Sequence, residues 1–151
     1  MGYVRRAKGI AMGAEENKAV FRRYVEEVLN KRNLDAIDEL CDENVVFYFP
    51  EAVEGREALK ETVAAALAPF SDLQVEIDRL IAEDDFASAL CSPRATLAGE
   101  FMGQDVTGKH VSLSVVHTLR FANGRIVENR PIADQLALLM QLGITQVPQP
   151  T

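Results

Sequence analysis

In this chain of 151 residues the residue best placed to do chemistry is His117. From Val111 to Phe121 the odd positions are Val111, Leu113, Val115, His117, Leu119 and Phe121, while the even ones include Ser112, Ser114, Thr118 and Arg120. Successive side chains of a strand face opposite sides, so His117 points with the apolar set toward an interior. An ionisable ring in that place is either a core histidine satisfied by backbone or water, or an acid, base or hydrogen-bond donor in a pocket. His110 lies seven positions away and falls on the opposite, solvated side, so this strand offers no two-histidine metal site. Tyr24, Phe47, Tyr48, Phe49 and Phe86 could line a pocket for a flat apolar ligand, although aromatic residues at these spacings also simply build cores. Arg94 and Glu100 read as a solvated pair. Asp134 stands in the first turn of a final helix, where a carboxylate favours the helix dipole.

These residues need a frame, and its elements are legible. Residues 15–31 carry one apolar stripe (Val20, Phe21, Tyr24, Val25, Val28, Leu29) and predict a first helix. Asn33 caps a short helix over 34–41. Residues 44–49 form a β-rich run closed by Pro50, and a third helix spans 56–68 before Pro69. Strands follow at 73–81 and 86–97, the latter interrupted by Pro93, with 96–102 continuing it to Gly103. A hairpin over 111–121 and 125–129 turns at Asn123-Gly124. A last helix, 133–142, stops at Gly143. Helices first, then a meander of strands, make an α+β fold. The N-terminal helices pack on the concave face of a strongly curved antiparallel sheet, because the short turns leave no room for parallel crossovers. The resulting cone can hold a small apolar ligand.

One domain is expected, over 15–143, with a disordered leader at 1–14 and a tail at 144–151. The net charge of −7 argues against a nucleic-acid partner. No apolar run approaches the length of a membrane span, and the leader lacks the apolar stretch of a secretory signal. Arg6 stands where myristoylation wants Ser or Thr. Cys41 and Cys91 have no metal-ligand spacing; they read as buried free thiols in a reducing cytoplasm, with a lone disulfide left open.

The segments NKAVFRRYVEEVLNKRNLDAIDELCDENVVFYFP at 17–50, GEFMGQDVTGK at 99–109 and VVHTLRFANGRIVENRPIADQLALLMQLG at 115–143 resemble the SnoaL-like polyketide cyclases of the nuclear-transport-factor-2-like superfamily. The resemblance covers nearly all of 15–143. It implies a cone-shaped pocket, a homodimer, and neither metal nor organic cofactor. It also implies a small apolar carbonyl compound as ligand. In the family's ring closure, a pocket aspartate removes a proton α to a carbonyl while nearby side chains stabilise the enolate. His117 occupies the family's histidine position on the penultimate strand. The aspartate position is Pro131, which can neither take nor give a proton, and a position often polar in the cyclases is Val115.

On this resemblance the pocket comprises Tyr24, Phe47, Phe49, Val115, Leu119, Asn129 and Pro131, with His117 as donor or relay and Asp134 or a water as base. The competing expectation is a non-catalytic ligand-binding or dimerisation module of the same fold. The hairpin register decides the faces. A two-residue type I′ turn at Asn123-Gly124 sets His117 opposite Arg130 and Leu119 opposite Glu128. A bulge at Gly124 instead sets His117 opposite Asn129, with Val127, Asn129 and Pro131 facing the pocket and Glu128 and Arg130 outside. The family's aspartate position favours the second.

Overall fold

The computed structural model describes residues 7–144, with side chains from Gly13 onward. Residues 1–6 of the leader expected over 1–14, and residues 145–151 of the tail expected over 144–151, lie outside the described residues. The first helix, α1 (Ala7–Arg23), begins before the expected start at residue 15 and widens into a π-helical stretch over Tyr24–Asn30. A short turn at Leu34–Ala36 leads to α2 (Ile37–Leu40), and β1 (Cys41–Tyr48) follows with no linker. Then come β2 (Ala52–Glu54), α3 (Arg56–Leu67), β3 (Phe70–Glu83) and β4 (Phe86–Leu97). A two-stranded ribbon of β5 (Glu100–Phe101) and β6 (Gln104–Asp105) precedes β7 (His110–Ser112), β8 (Val115–Ala122), β9 (Arg125–Ala133) and α4 (Gln135–Leu142). Among the described residues no helix is long and apolar enough to cross a membrane.

The main sheet runs β2-β1-β9-β8-β4-β3, with β7 also paired to β4. It is curved and unclosed, and the N-terminal helices cover its inner face. Every neighbouring pair is antiparallel except β1 and β9, which run parallel with Phe47 beside Asn129. That exception is physically easy. The two strands are separated by most of the chain, so the connection is far longer than a hairpin.

Two differences from the sequence reading share one cause. Pro93 does not interrupt β4, which pairs with β3 straight through Val75–Pro93. The interruption falls on the neighbouring strand: the expected single strand over 111–121 is β7 and β8, split at Leu113-Ser114, with Leu113 N–H donating to the Pro93 carbonyl. A proline has no ladder donor, so the neighbour changes over beside it. The expected continuation of β4 through 96–102 ends at Leu97 and restarts as the small ribbon.

The hairpin adopts neither expected register. Asn123 and Gly124 both have positive φ (53° and 73°), as a type I′ turn requires, and Ala122 pairs Arg125. The register then shifts at Val127, so Arg120 pairs Glu128, Leu119 pairs Asn129 and His117 pairs Pro131. Unbroken alternation from buried Ile126 would turn Glu128 inward. The bulge instead puts Glu128 outside, with Oε2 3.5 Å from Arg120 Nε, and returns Asn129 to the interior.

Side-chain amides complete the frame. Asn30 donates to the Val75 carbonyl and accepts from its N–H, holding the end of the first helical arm to β3. Gln141 of α4 bonds both backbone groups of Ser112 at 2.8 Å.

Candidate functional site

Small side chains on β4 create the space in which the site sits. Leu80, Ala89, His117 and Pro131 stand in one row across the inner face, and Ala82, Ala87, Leu119, Asn129 and Phe47 in the next. Over the buried alanines 87 and 89, α1 comes close enough for Phe21 to meet the His117 ring, centroids 5.2 Å apart. Rings continue from Phe21 to Tyr24 (6.3 Å), Phe47 (5.8 Å) and Phe49 (5.9 Å). Nδ1 of His117 lies 3.0 Å from Nδ2 of Asn129. Burial pushes the His117 imidazole down to about 4, so the ring is neutral at physiological pH.

The expected pocket residues divide into two groups. Tyr24, Phe47, Leu119 and Asn129 come together but are sealed, each at most 1% exposed. They fill the interior beside His117. Val115 and Pro131 are half-buried along β8 and β9, and Phe49 stands at the rim with 36% exposure. Two hollows, of about 430 and 530 Å³, open on the outer face. The first is lined by Asp72, Arg94, Thr96, His110 and Gln141, the second by Ile81, Phe86, Ser88 and Thr118. Phe86 and Tyr48 therefore belong to the outer face, where Tyr48 lies under the Arg130 guanidinium at 3.9 Å. Arg94 pairs with Glu76 and not with Glu100. His110 is exposed, its Nδ1 2.9 Å from Thr96 Oγ1. Among the described residues no cluster of three His, Cys, Asp or Glu could hold a metal.

Asp134 is committed elsewhere. It is exposed, and its Oδ1 caps α4 by accepting from Ala137 N–H at 3.0 Å; its backbone N–H donates to the Ser114 carbonyl. Asn caps as well as Asp, so Asp134→Asn changes stability by a few tenths of a kcal/mol at most and Asp134→Ala costs about 1 kcal/mol. Urea unfolding of both variants checks this. An Asn variant of wild-type stability that lost all ligand-dependent activity would return Asp134 to the site as a base.

The two cysteines are buried and unpaired, as expected. Burial pushes the Cys41 thiol up to about 12 and that of Cys91 up to about 11, so neither is a ready nucleophile. The Tyr24 phenol is likewise held far above its ordinary value by burial.

Two buried residues of α1 escaped the sequence reading. Phe21 was visible only as one member of an apolar stripe, with nothing to say that it meets His117. Asn17 is buried one turn before Phe21, a polar residue on the helix face that packs on the sheet. Its spacing of four from Phe21 was the available signal.

The SnoaL-like polyketide cyclase family model matches residues 19–142. Solved structures share the architecture. AclR from Streptomyces galilaeus, provisionally designated a hydroxylase, is 31% identical, with 90% of this chain and 91% of that one covered at a TM-score of 0.77. IdmH from Streptomyces antibioticus, provisionally designated a polyketide cyclase, is 25% identical over 84% of this chain and 98% of its own, at 0.75. An epoxide hydrolase from M. tuberculosis, 14% identical over 85% and 90% at 0.68, shares the fold alone. No curated protein matches the chain.

Proposed function

The chain belongs to the SnoaL-like polyketide cyclase family, and on that premise we propose that the His117 end of its cone takes up a small, mostly apolar carbonyl compound. There it promotes proton transfer α to the carbonyl, a cyclase, isomerase or lyase type of step that needs neither metal nor organic cofactor. One observation carries the reading: a neutral imidazole held between Phe21 and Asn129 on an otherwise hydrocarbon face. Packing does not require an imidazole there; a donor to a carbonyl oxygen that gains charge does. Val115, Pro131 and Phe49 form the half-open side by which the ligand reaches it. The base is then a water or a group of the ligand itself.

A second reading rests on its own observation. Pro131 stands directly opposite His117, Asp134 is occupied as a helix cap, and among the described residues no carboxylate bonds to the imidazole. That arrangement favours a module that kept the cone and binds without turnover. Under either reading we propose a homodimer. Ile81, Phe86, Leu90 and Ile132 stand exposed on the outer face, and the surrounding Arg120, Glu128 and Arg130 carry both signs of charge, which suits a second copy of the same surface. The unpaired thiols suit a reducing cytoplasm.

Exchange of the α-protons of 1-indanone in D2O, followed by NMR, separates the readings. Catalysis predicts acceleration over buffer that falls about a hundredfold in His117→Leu, the usual loss on removing one oxyanion donor. Binding with exchange at the buffer rate supports the non-catalytic module. A native mass spectrum of protein purified without added ligand reads the retained molecule and the subunit number together. No binding of 1-indanone and no retained molecule would sink both.

A further inference from the structure

We propose that Asn129 is a positioning residue that fixes His117 in a single tautomer, with the proton on Nε2. The ligand group meeting the histidine must then be a hydrogen-bond acceptor. This requirement rests on the His117 end of the cone being the ligand site proposed above, and it narrows what that site can recognise.

Asn129 is fully buried, and its Nδ2 lies 3.0 Å from His117 Nδ1. An amide nitrogen can only donate, so Nδ1 must offer its lone pair, which places the ring proton on Nε2. The opposite amide orientation would let Oδ1 accept from Nδ1–H. It would also strand both amide N–H groups in the core, whereas the present one leaves the carbonyl oxygen Oδ1 without a partner. Buried orphan carbonyls occur somewhat more readily than buried orphan N–H groups, so the observed orientation is favoured. The other neighbours of His117 across the strands, Ala89 and Pro131, carry no polar side chain and offer no rival partner.

The second nitrogen is differently placed. Among the described residues His117 Nε2 has no hydrogen-bond partner, yet the one atom both unpartnered and sealed is Asn129 Oδ1. His117 keeps 8% exposure, while its Nδ1 edge is covered by the fully buried Asn129. A sealed nitrogen locked by an amide and an open nitrogen carrying the proton make a one-way device: it donates and cannot accept. A carbonyl oxygen fits it; an ammonium group does not. The stranded Oδ1 points the same way. Leucine would fill the position without desolvating an unpaired oxygen, so asparagine carries a desolvation cost that packing alone does not explain.

Long-range ¹H–¹⁵N correlation NMR of the ¹⁵N-labelled full chain at neutral pH tests this directly. In the wild type, His117 should show an unprotonated Nδ1 and a protonated Nε2 with no second form. Asn129→Leu should give a mixture of tautomers, and Asn129→Asp should move the proton to Nδ1, where the carboxylate accepts it. A wild-type ring protonated on Nδ1 overturns the proposal, as does an Asn129→Leu ring still held wholly on Nε2. Should Asn129→Leu fail to fold, the wild-type spectrum and Asn129→Asp decide alone. None of these spectra needs a ligand, so failure here is separable from failure of the indanone exchange.

Discussion

Between pH 6.5 and about 4 the folded protein loses roughly 3 kcal/mol of stability through His117 alone, and about 2 kcal/mol of that is gone by pH 5. In the unfolded chain the imidazole titrates near 6.5; in the fold, burial beside Phe21 and Leu119 holds it near 4. Across that window the unfolded state binds the extra proton, so stability rises as pH climbs through it and falls as pH drops through it. The full contribution is present above pH 6.5 and absent below about 4. The carboxylates held low by their partners, Glu15, Glu39 and Asp105, are exposed and act only at the acid end, below the ordinary carboxylate range. The upper half of the window is therefore diagnostic. Urea midpoints at pH 7.5 and 5.0 should differ steeply in the wild type and in His110→Gln, and much less in His117→Gln. Equal slopes in wild type and His117→Gln would mean that the ring is not buried neutral.

How far such a result could be foreseen depends on the kind of signal each residue carries. The alternation around His117 is a local pattern with period two, so the inward face of the histidine was readable, as were the helix stripe through Tyr24 and the turn at Asn123-Gly124. The resemblance of the hairpin to one family placed the fold, because its residues record long-range pairing that no periodicity contains. Non-local events were unreadable. The bulge at Val127 arises because Glu128 must stay outside while Asn129 goes in, a conflict settled only when the strands pair. Pro93 looked like a break in its own strand and proved to mark a changeover in its neighbour. The bond between His117 and Asn129 joins residues in adjacent rows of the sheet, and both expected registers placed those rows differently.

Phe21→Ala is the substitution expected to cost most, about 3–5 kcal/mol out of a total of order 5–15. The ring is fully buried, it bridges α1 to the sheet, and the alanines beneath it cannot grow to fill the gap. The loss should not stop at packing. With Phe21 gone, water reaches His117, its pKa climbs back toward the ordinary value, and the pH-dependent loss of stability shrinks with it. The two effects are then non-additive, and a double-mutant cycle with His117→Gln should show coupling of order 1 kcal/mol or more. The same void is apolar and adjoins an open hydrogen-bond donor, so 1-indanone should bind it and restore part of the lost stability as its concentration exceeds the dissociation constant. Comparing the indanone-induced rise in Tm between wild type and Phe21→Ala tells what Phe21 does. A rise confined to the variant means that the wild-type ring fills the ligand's place and shuts indanone out. An equal rise in both means that the ligand enters past Val115 and Pro131 and leaves Phe21 where it is. No rise in either would leave the space beside His117 as core, with no ligand site there.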